Sequence, residues 1–542
     1  MDSRKNFFPL KDVKSVVEYF KEELKKEQPN LAQLSLILGF FEGANTCKGG
    51  TSNPDTCPTL DEETFDALYC KFMALLQQDF SFNAENKPAT RELVKSVADL
   101  VWGCLAKSYF KDRPHIQNLY SFLTGNRLDC FGVAFTVVAM CQALGYNDVH
   151  LCLSEDHAWV CFDKDGSETA EVTWHGKGNE DKRGKPVAIT NENGTSWLYL
   201  NGYAVHCTRY TEVASIVSSI NAGINPNTDS IELAKLQQEL LWVLYDLGHL
   251  KRYPMALANL ADLEEISPSP ERPPCKQIFE KAISVAKEFH NDQHIYPYTY
   301  LGGYYNRKKQ YYEAMRCWVD AAHVAGKYNY SKEDEEMFKE FYEIANDLIP
   351  NILKSDSDKQ DVTKDPLFFS LMLQFYDGIC LWEEGSQTPV IHADWAKKLV
   401  QSIGKFSPEC RSTFSADKEE KSETSNNEDS TSSVEKEKPA KPEVSLVFKS
   451  AKMKDLHKLI TSSGKLNTSA IKLQLTAQSQ VSIPKSRRRS SMKADVYLYD
   501  YDDQIKEEGG GEDEDEDEDA FLRKKKRRVK KDADRNWNAT LF

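Results

Sequence analysis

The stretch from Leu128 to Gly176 constrains this chain most, because it sets Cys130, His157 and Glu171 in the order and rough spacing of a thiol hydrolase core. Residues Cys130 to Gly145 read as one buried helix, apolar or small almost throughout, with Gly145 in the C-cap role. A cysteine that opens a helix sits at the positive end of the macrodipole, which favours the thiolate. Two short strand-like runs follow, Val149 to Ser154 and Ala158 to Phe162, with Asp156 and His157 at their junction, and Thr169 to Trp174 supplies a third. Helix and strands together carry thiol, imidazole and carboxylate toward one another, as a base-activated nucleophile requires. The same residues also suit a plainer reading, with Cys130 one more buried cysteine and His157 a satisfied core or pocket histidine.

This order, cysteine helix, then His-Ala-Trp on a strand, then acid-x-Thr on the next, resembles the transglutaminase-like core over about fifty residues. Members of that fold usually carry Asp where this chain has Glu171, which is one methylene longer.

Composition sets outer bounds. At 542 residues and 40% hydrophobic content the chain holds real cores, roughly three or four domains by length. Its 13 cysteines include no Cys-x-x-Cys pair and no Cys/His cluster at zinc spacing, so reduced thiols are expected in a cytosolic or nuclear compartment, with no metal or cofactor site. The N-terminus lacks an apolar signal core, and apolar runs such as Leu36 to Phe41 are far shorter than a bilayer span, so no membrane association is expected. A formal charge of -15 argues against wholesale coating of nucleic acid but leaves local basic segments in play.

The fold class expected is mainly α. Residues 1–78 form a helical region with an exposed loop, beginning with two amphipathic helices over 10–41 and a break near Pro29; further helices are expected over Asp61–Phe80 and Thr90–Tyr109. A small α/β transglutaminase-like module occupies 79–207 and tetratricopeptide-like helical repeats 208–355. C-terminal helices at 356–406 precede a disordered linker at 407–443, a docking segment at 444–483 and a disordered basic and acidic tail at 484–542. The clearest repeat is Tyr298, Leu301, Gly302, Tyr305, Ala314, Trp318 and Ala321, with weaker copies at 235–265 and 367–404. Stacked pairs of this kind leave a concave surface that suits peptides. A helix from Ser331, with Asp334 in a capping box, sets Met337, Phe341, Ile344 and Leu348 on one stripe and Glu336, Glu340 and Glu343 on another face. Such a row of carboxylates is either a solvated face or a receptor for cations.

Longer blocks carry a second resemblance. Ser154 to Val160, Ala170 to Asp181, Ser108 to Arg113, Leu244 to His249, Arg252 to Leu257, Asp334 to Glu336 with Ala345 to Asp347, and Ser469 to Gln480 resemble the menin family in order, over residues 1 to about 405 and 444 to 483. The resemblance implies a nuclear scaffold rather than an enzyme. It implies a deep pocket where the module meets the helical repeats, receiving Arg-aromatic-Pro segments of partners. Those are the N-terminal segment of mixed-lineage leukaemia-type histone methyltransferases and the transcription factor JunD. Carried over, the lining is Leu153, Asp156, His157, Ala158, Tyr253, Met255, Tyr296, Tyr300 and Trp318, with Glu336, Glu340 and Glu343 at the cationic end. Aromatics and Met suit a ring and a proline, and carboxylates pair guanidinium groups. Against vertebrate members, Cys130 and Phe131 each replace a serine, Ser215 an aromatic and Thr299 a methionine.

In the tail, eight of the nine residues from Arg523 to Lys531 are basic, and Arg523, Lys524, Lys525, Lys526, Arg527 and Arg528 read as a nuclear localisation signal, with non-specific DNA contact a further use. Two functions stay open on the sequence: a nuclear peptide-binding scaffold regulating transcription through histone methylation, and a residual thiol acyltransferase or hydrolase using Cys130, His157 and Glu171.

Overall fold

The computed structural model describes residues 6–46, 58–83, 87–105, 114–163, 166–173, 182–187, 190–191, 194–195, 197–225, 228–327, 335–354, 361–386, 390–414 and 446–477. The fold is mainly helical with a small antiparallel sheet, and it divides into two compact units between Tyr300 and Leu301. No helix among the described residues is long and apolar enough to cross a membrane.

The first unit begins with α1 (Val13–Glu23), α2 (Leu31–Thr46), α3 (Glu62–Asp79), α4 (Arg91–Cys104), α5 (Leu119–Gly125) and α6 (Cys130–Ala143). Helix α1 opens on a capping box in which Asp12 Oδ1 accepts from Ser15 N at 2.8 Å. Helix α2 departs from the amphipathic expectation: it is buried on nearly all sides, because α3, α5 and α6 all pack on it. Helix α4 stops at Cys104, where Leu105 turns extended, short of the expected Tyr109.

The sheet follows, with β1 (His150–Leu153), β2 (Ala158–Phe162), β3 (Glu168–Ala170), the short pair β4 (Thr190–Asn191) and β5 (Gly194–Thr195), and β6 (Val205–His206). The order of the four-stranded antiparallel sheet is β3-β2-β1-β6. After α7 (Arg209–Ser218) comes a hairpin of β7 (Gly223–Asn225) and β8 (Thr228–Asp229). Buried Arg209 fixes α7 to the sheet, donating to Glu212 Oε2 at 2.6 Å and to the carbonyls of Asn147 and Val149. Then come α8 (Ile231–Asp246), α9 (Pro254–Ile266), α10 (Cys275–Phe289) and α11 (Tyr296–Arg307), the last running across the division between units. The two halves of 235–265 are α8 and α9, which pack on each other, and α9 packs more extensively still on α10.

The second unit holds α12 (Tyr311–Ala325), α13 (Glu335–Glu343), a π-helical turn (Ile344–Leu348), α14 (Ile349–Ile352), α15 (Pro366–Glu384), α16 (Ala393–Ile403), α17 (Pro408–Ser412), α18 (Ala451–Ile460) and α19 (Thr468–Leu475). The repeat signature lands as expected: a Cβ on Gly302 would lie 2.5 Å from Trp318 Nε1, so only glycine lets that indole in. The weaker copy at 367–404 is not a hairpin of its own, since α15 packs chiefly on α12 while α16 packs on the π turn and α19. The expected cap residues Ser331 and Asp334 lie outside the described residues. The stripe begins as read, with Met337, Phe341 and Ile344 buried, but the π turn inserts a residue, and burial passes to Ile349 and Ile352 in place of half-buried Leu348.

Residues 446–477 pack on the second unit through Met453, Leu456, Ile460, Ile471 and Leu475, each burial worth roughly 1.5–3 kcal/mol. Polar latches fix the register. Asp377 accepts from Lys449 N (2.9 Å), Ser450 N (3.0 Å) and Ser450 Oγ (2.6 Å), and Lys452 pairs with buried Glu383. Val447, between half-buried Leu446 and buried Phe448, is 73% exposed and takes no part in this packing.

Candidate functional site

Antiparallel pairing of Val160 with Ala170 puts the start of β2 and the end of β3 at one end of the sheet, so His157 and Glu171, just outside those strands, meet there. His157 Nε2 lies 2.8 Å from Glu171 Oε2, and both side chains are buried. The extra methylene of Glu171 is therefore accommodated. Its other oxygen accepts from Val172 N (3.1 Å), Thr173 N (3.0 Å) and Thr173 Oγ1 (2.8 Å), while Tyr199 Oη donates to Oε2 at 3.1 Å. Burial alone would push this carboxyl up, but the His157 imidazole and the Thr173 donors bring it down to about 2. Trp159 stacks on His157 at 5.9 Å between ring centroids. Cys130 occupies the first position of α6, half-buried, behind the N-cap Asp129, whose Oδ1 accepts from Gly132 N at 2.7 Å. Helix α6 packs on β1 and β2.

The same end of the sheet holds most candidate peptide contacts of the first unit. Leu153 ends β1 and Ala158 opens β2, both buried. Tyr296 Oη donates to Asp156 Oδ1 at 2.9 Å. Between them Glu155, which the sequence reading missed, accepts from the main-chain N–H groups of Ile295 and Tyr296, both at 2.8 Å, and so caps α11. Burial drives the Glu155 carboxyl up to about 8, against the pull of those two donors. Tyr253 and Met255 are buried at the start of α9, and Tyr300 packs against Phe279.

Phe131 is buried and stacked on Phe135, Ser215 is turned into its own helix by a bond to Glu212 O (2.8 Å), and Thr299 bonds Tyr296 O (3.3 Å).

In the second unit Trp318 is fully buried, and its indole N–H has no acceptor among the described residues. Glu336, Glu340 and Glu343 recur along α13 at helical spacing, the first two half-buried and the third exposed. Partial desolvation and the Asp347 carboxylate hold Glu343 above the ordinary carboxyl range. The basic residues Arg523 to Arg528 lie outside the described residues.

The menin family model matches residues 1–444 and 415–501. The chain belongs to the menin family. A crystal structure of menin that reveals the binding site for Mixed Lineage Leukemia (MLL) protein is 69% identical, covering 86% of this chain and 99% of that one, with a TM-score of 0.77.

One feature of this menin chain escaped the spacing rules. Cys152, Cys161 and His206 come from three different strands, and their ligand atoms all lie within 4.8 Å of one another. Their separations in sequence match no zinc-finger pattern, so only the sheet register reveals the group.

Proposed function

We propose that this chain is a nuclear scaffold that binds a short Arg-aromatic-Pro segment of a mixed-lineage leukaemia-type histone methyltransferase. The observation that carries this reading is the 69% identity, over nearly the whole of that chain, to a menin whose structure reveals a binding site for MLL protein. The residues present suit such a ligand. Leu153, Ala158, Tyr253, Met255, Tyr296, Tyr300 and Trp318 are of the apolar and aromatic types that suit a ring and a proline, and all of them are buried. Asp156 and His157 supply polar edges, and Glu336, Glu340 and Glu343 supply charge for arginine. Transcription factors such as JunD are proposed as further ligands of the same kind, acting on transcription through histone methylation. Entry to the nucleus is assigned to Arg523, Lys524, Lys525, Lys526, Arg527 and Arg528, a cluster also suited to weak, salt-sensitive DNA contact.

Fluorescence anisotropy of a labelled Arg-aromatic-Pro peptide tests the reading. Binding is expected, with affinity falling as salt rises, and Glu340→Lys is expected to weaken it at least about tenfold. A peptide that binds Glu340→Lys as well as wild type would remove the arginine assignment.

The buried His157–Glu171 pair favours one second reading, a residual thiol acyltransferase or hydrolase. It requires Cys130 to alkylate faster than the other cysteines and thioester turnover to vanish in Cys130→Ala. Alkylation of Cys130 at the rate of exposed Cys70 would end that reading.

A further inference from the structure

We propose that Cys152, Cys161 and His206 form a zinc site of two thiolates and one imidazole, with solvent in the fourth position. The three ligands stand on three neighbouring strands, β1, β2 and β6, so the sheet fixes their backbone positions. Pairing sets Cys152 opposite His206 on one side and opposite Trp159 on the other, with Cys161 opposite His150. Alternation then puts Cys152 and Cys161 on one face as diagonal neighbours.

Diagonal neighbours stand roughly 7–8 Å apart, beyond the Cα span a disulfide favours, whereas a metal ion bridges such a gap through its own radius. Around tetrahedral zinc, with bonds of about 2.3 Å to sulfur and 2.0–2.1 Å to nitrogen, a sulfur and a nitrogen stand roughly 3.5–3.6 Å apart. Cys152 Sγ and His206 Nδ1 stand 3.5 Å apart.

The surroundings fit as well. Trp159, Val187, Tyr199 and Ala204 pack around the two buried cysteines as an apolar shell, while exposed His206 leaves a way in from solvent. His150, the other imidazole on this face, is held by Glu212 Oε1 at 3.0 Å. On binding, each thiol gives its proton to solvent, the imidazole binds neutral through Nδ1, and two thiolates cancel the charge of Zn²⁺, so the buried site carries no net charge. No electron is transferred, and the soft donor set selects zinc over magnesium or calcium.

The test uses the full chain, reduced and stripped with chelator, titrated first with Co²⁺ and then with Zn²⁺. One equivalent of Co²⁺ is expected to give a thiolate charge-transfer band and the intense visible bands of four-coordinate cobalt, and Zn²⁺ to abolish both. The bands should disappear in Cys152→Ala and Cys161→Val. In His206→Ala, whose exposed position spares the fold, zinc affinity should fall by more than the roughly 10–100-fold that loss of an outer-shell partner costs. Zinc should also raise the melting temperature of wild type and not of Cys161→Val. Absence of the bands in a folded wild-type chain, their persistence in Cys161→Val, or an unchanged zinc affinity in His206→Ala would overturn the assignment.

Discussion

Glu155 and Glu171 lie sixteen residues apart, both buried, yet they end in opposite states. Glu171 faces an imidazole, two main-chain N–H groups and two hydroxyls, and its carboxyl falls to about 2. Glu155 has two main-chain N–H donors, Asp156 beside it, and a neighbouring imidazole, His294, that burial and His290 keep from charging, so its carboxyl rises to about 8. Burial is common to both; the donors decide. One glutamate braces His157, and the other, largely neutral at pH 7, ties Asp156 and its neighbours to the start of α11.

The comparison breaks first at Glu171→Ala, which strands a buried imidazole and several donors. A loss of about 3–5 kcal/mol in denaturant unfolding at pH 7 is expected, and a loss under about 1 kcal/mol would mean the network is not braced through this carboxylate. Next in size is the pH dependence. Glu155 has a folded-state pKa above its unfolded value of 4.5, so its stabilising share is complete below pH 4.5 and is lost up to about pH 8. Relative to Glu155→Gln, wild-type stability should therefore fall by about 1.4 kcal/mol per pH unit through that window. Glu171 is depressed, so its share is present above pH 4.5 and is lost as pH falls toward about 2. Parallel pH profiles for Glu155→Gln and wild type would sink the contrast.

The close contact of Gly302 with Trp318 in the second unit offers a control without a titrating group. Gly302→Ala drives a methyl into Trp318 and should cost about 1–3 kcal/mol, read as a shift in the urea midpoint without pH dependence. Smallest is Tyr199→Phe, which removes one of several donors to Glu171 and should cost about 1 kcal/mol while raising the Glu171 pKa, followed by carboxyl carbon resonance.

How much of this was legible follows the range of the interactions. Helix α6 and its end were readable, because an apolar run and a glycine are local signals, and Gly145 indeed takes φ +94°. The meeting of His157 and Glu171 was readable from strand order. The role of Glu155 was not, since its donors lie 140 and 141 residues away and a lone glutamate before Asp156 carries no periodic signal. The π turn at Ile344–Leu348 hid because the sequence there keeps a regular helical pattern that the backbone abandons. The Cys152, Cys161 and His206 group needed the register of three strands, and the Asp377 latch needed a segment more than seventy residues later. The likeness of the peptide residues to menin was read from blocks of sequence, not from physics alone.

The most direct test of the peptide-binding account is calorimetric titration of an Arg-aromatic-Pro peptide into wild type, Cys130→Ala and Glu340→Lys. The account predicts saturable binding with equal affinity for wild type and Cys130→Ala, and binding weakened in Glu340→Lys. No binding to wild type, or binding lost in Cys130→Ala and kept in Glu340→Lys, would contradict it.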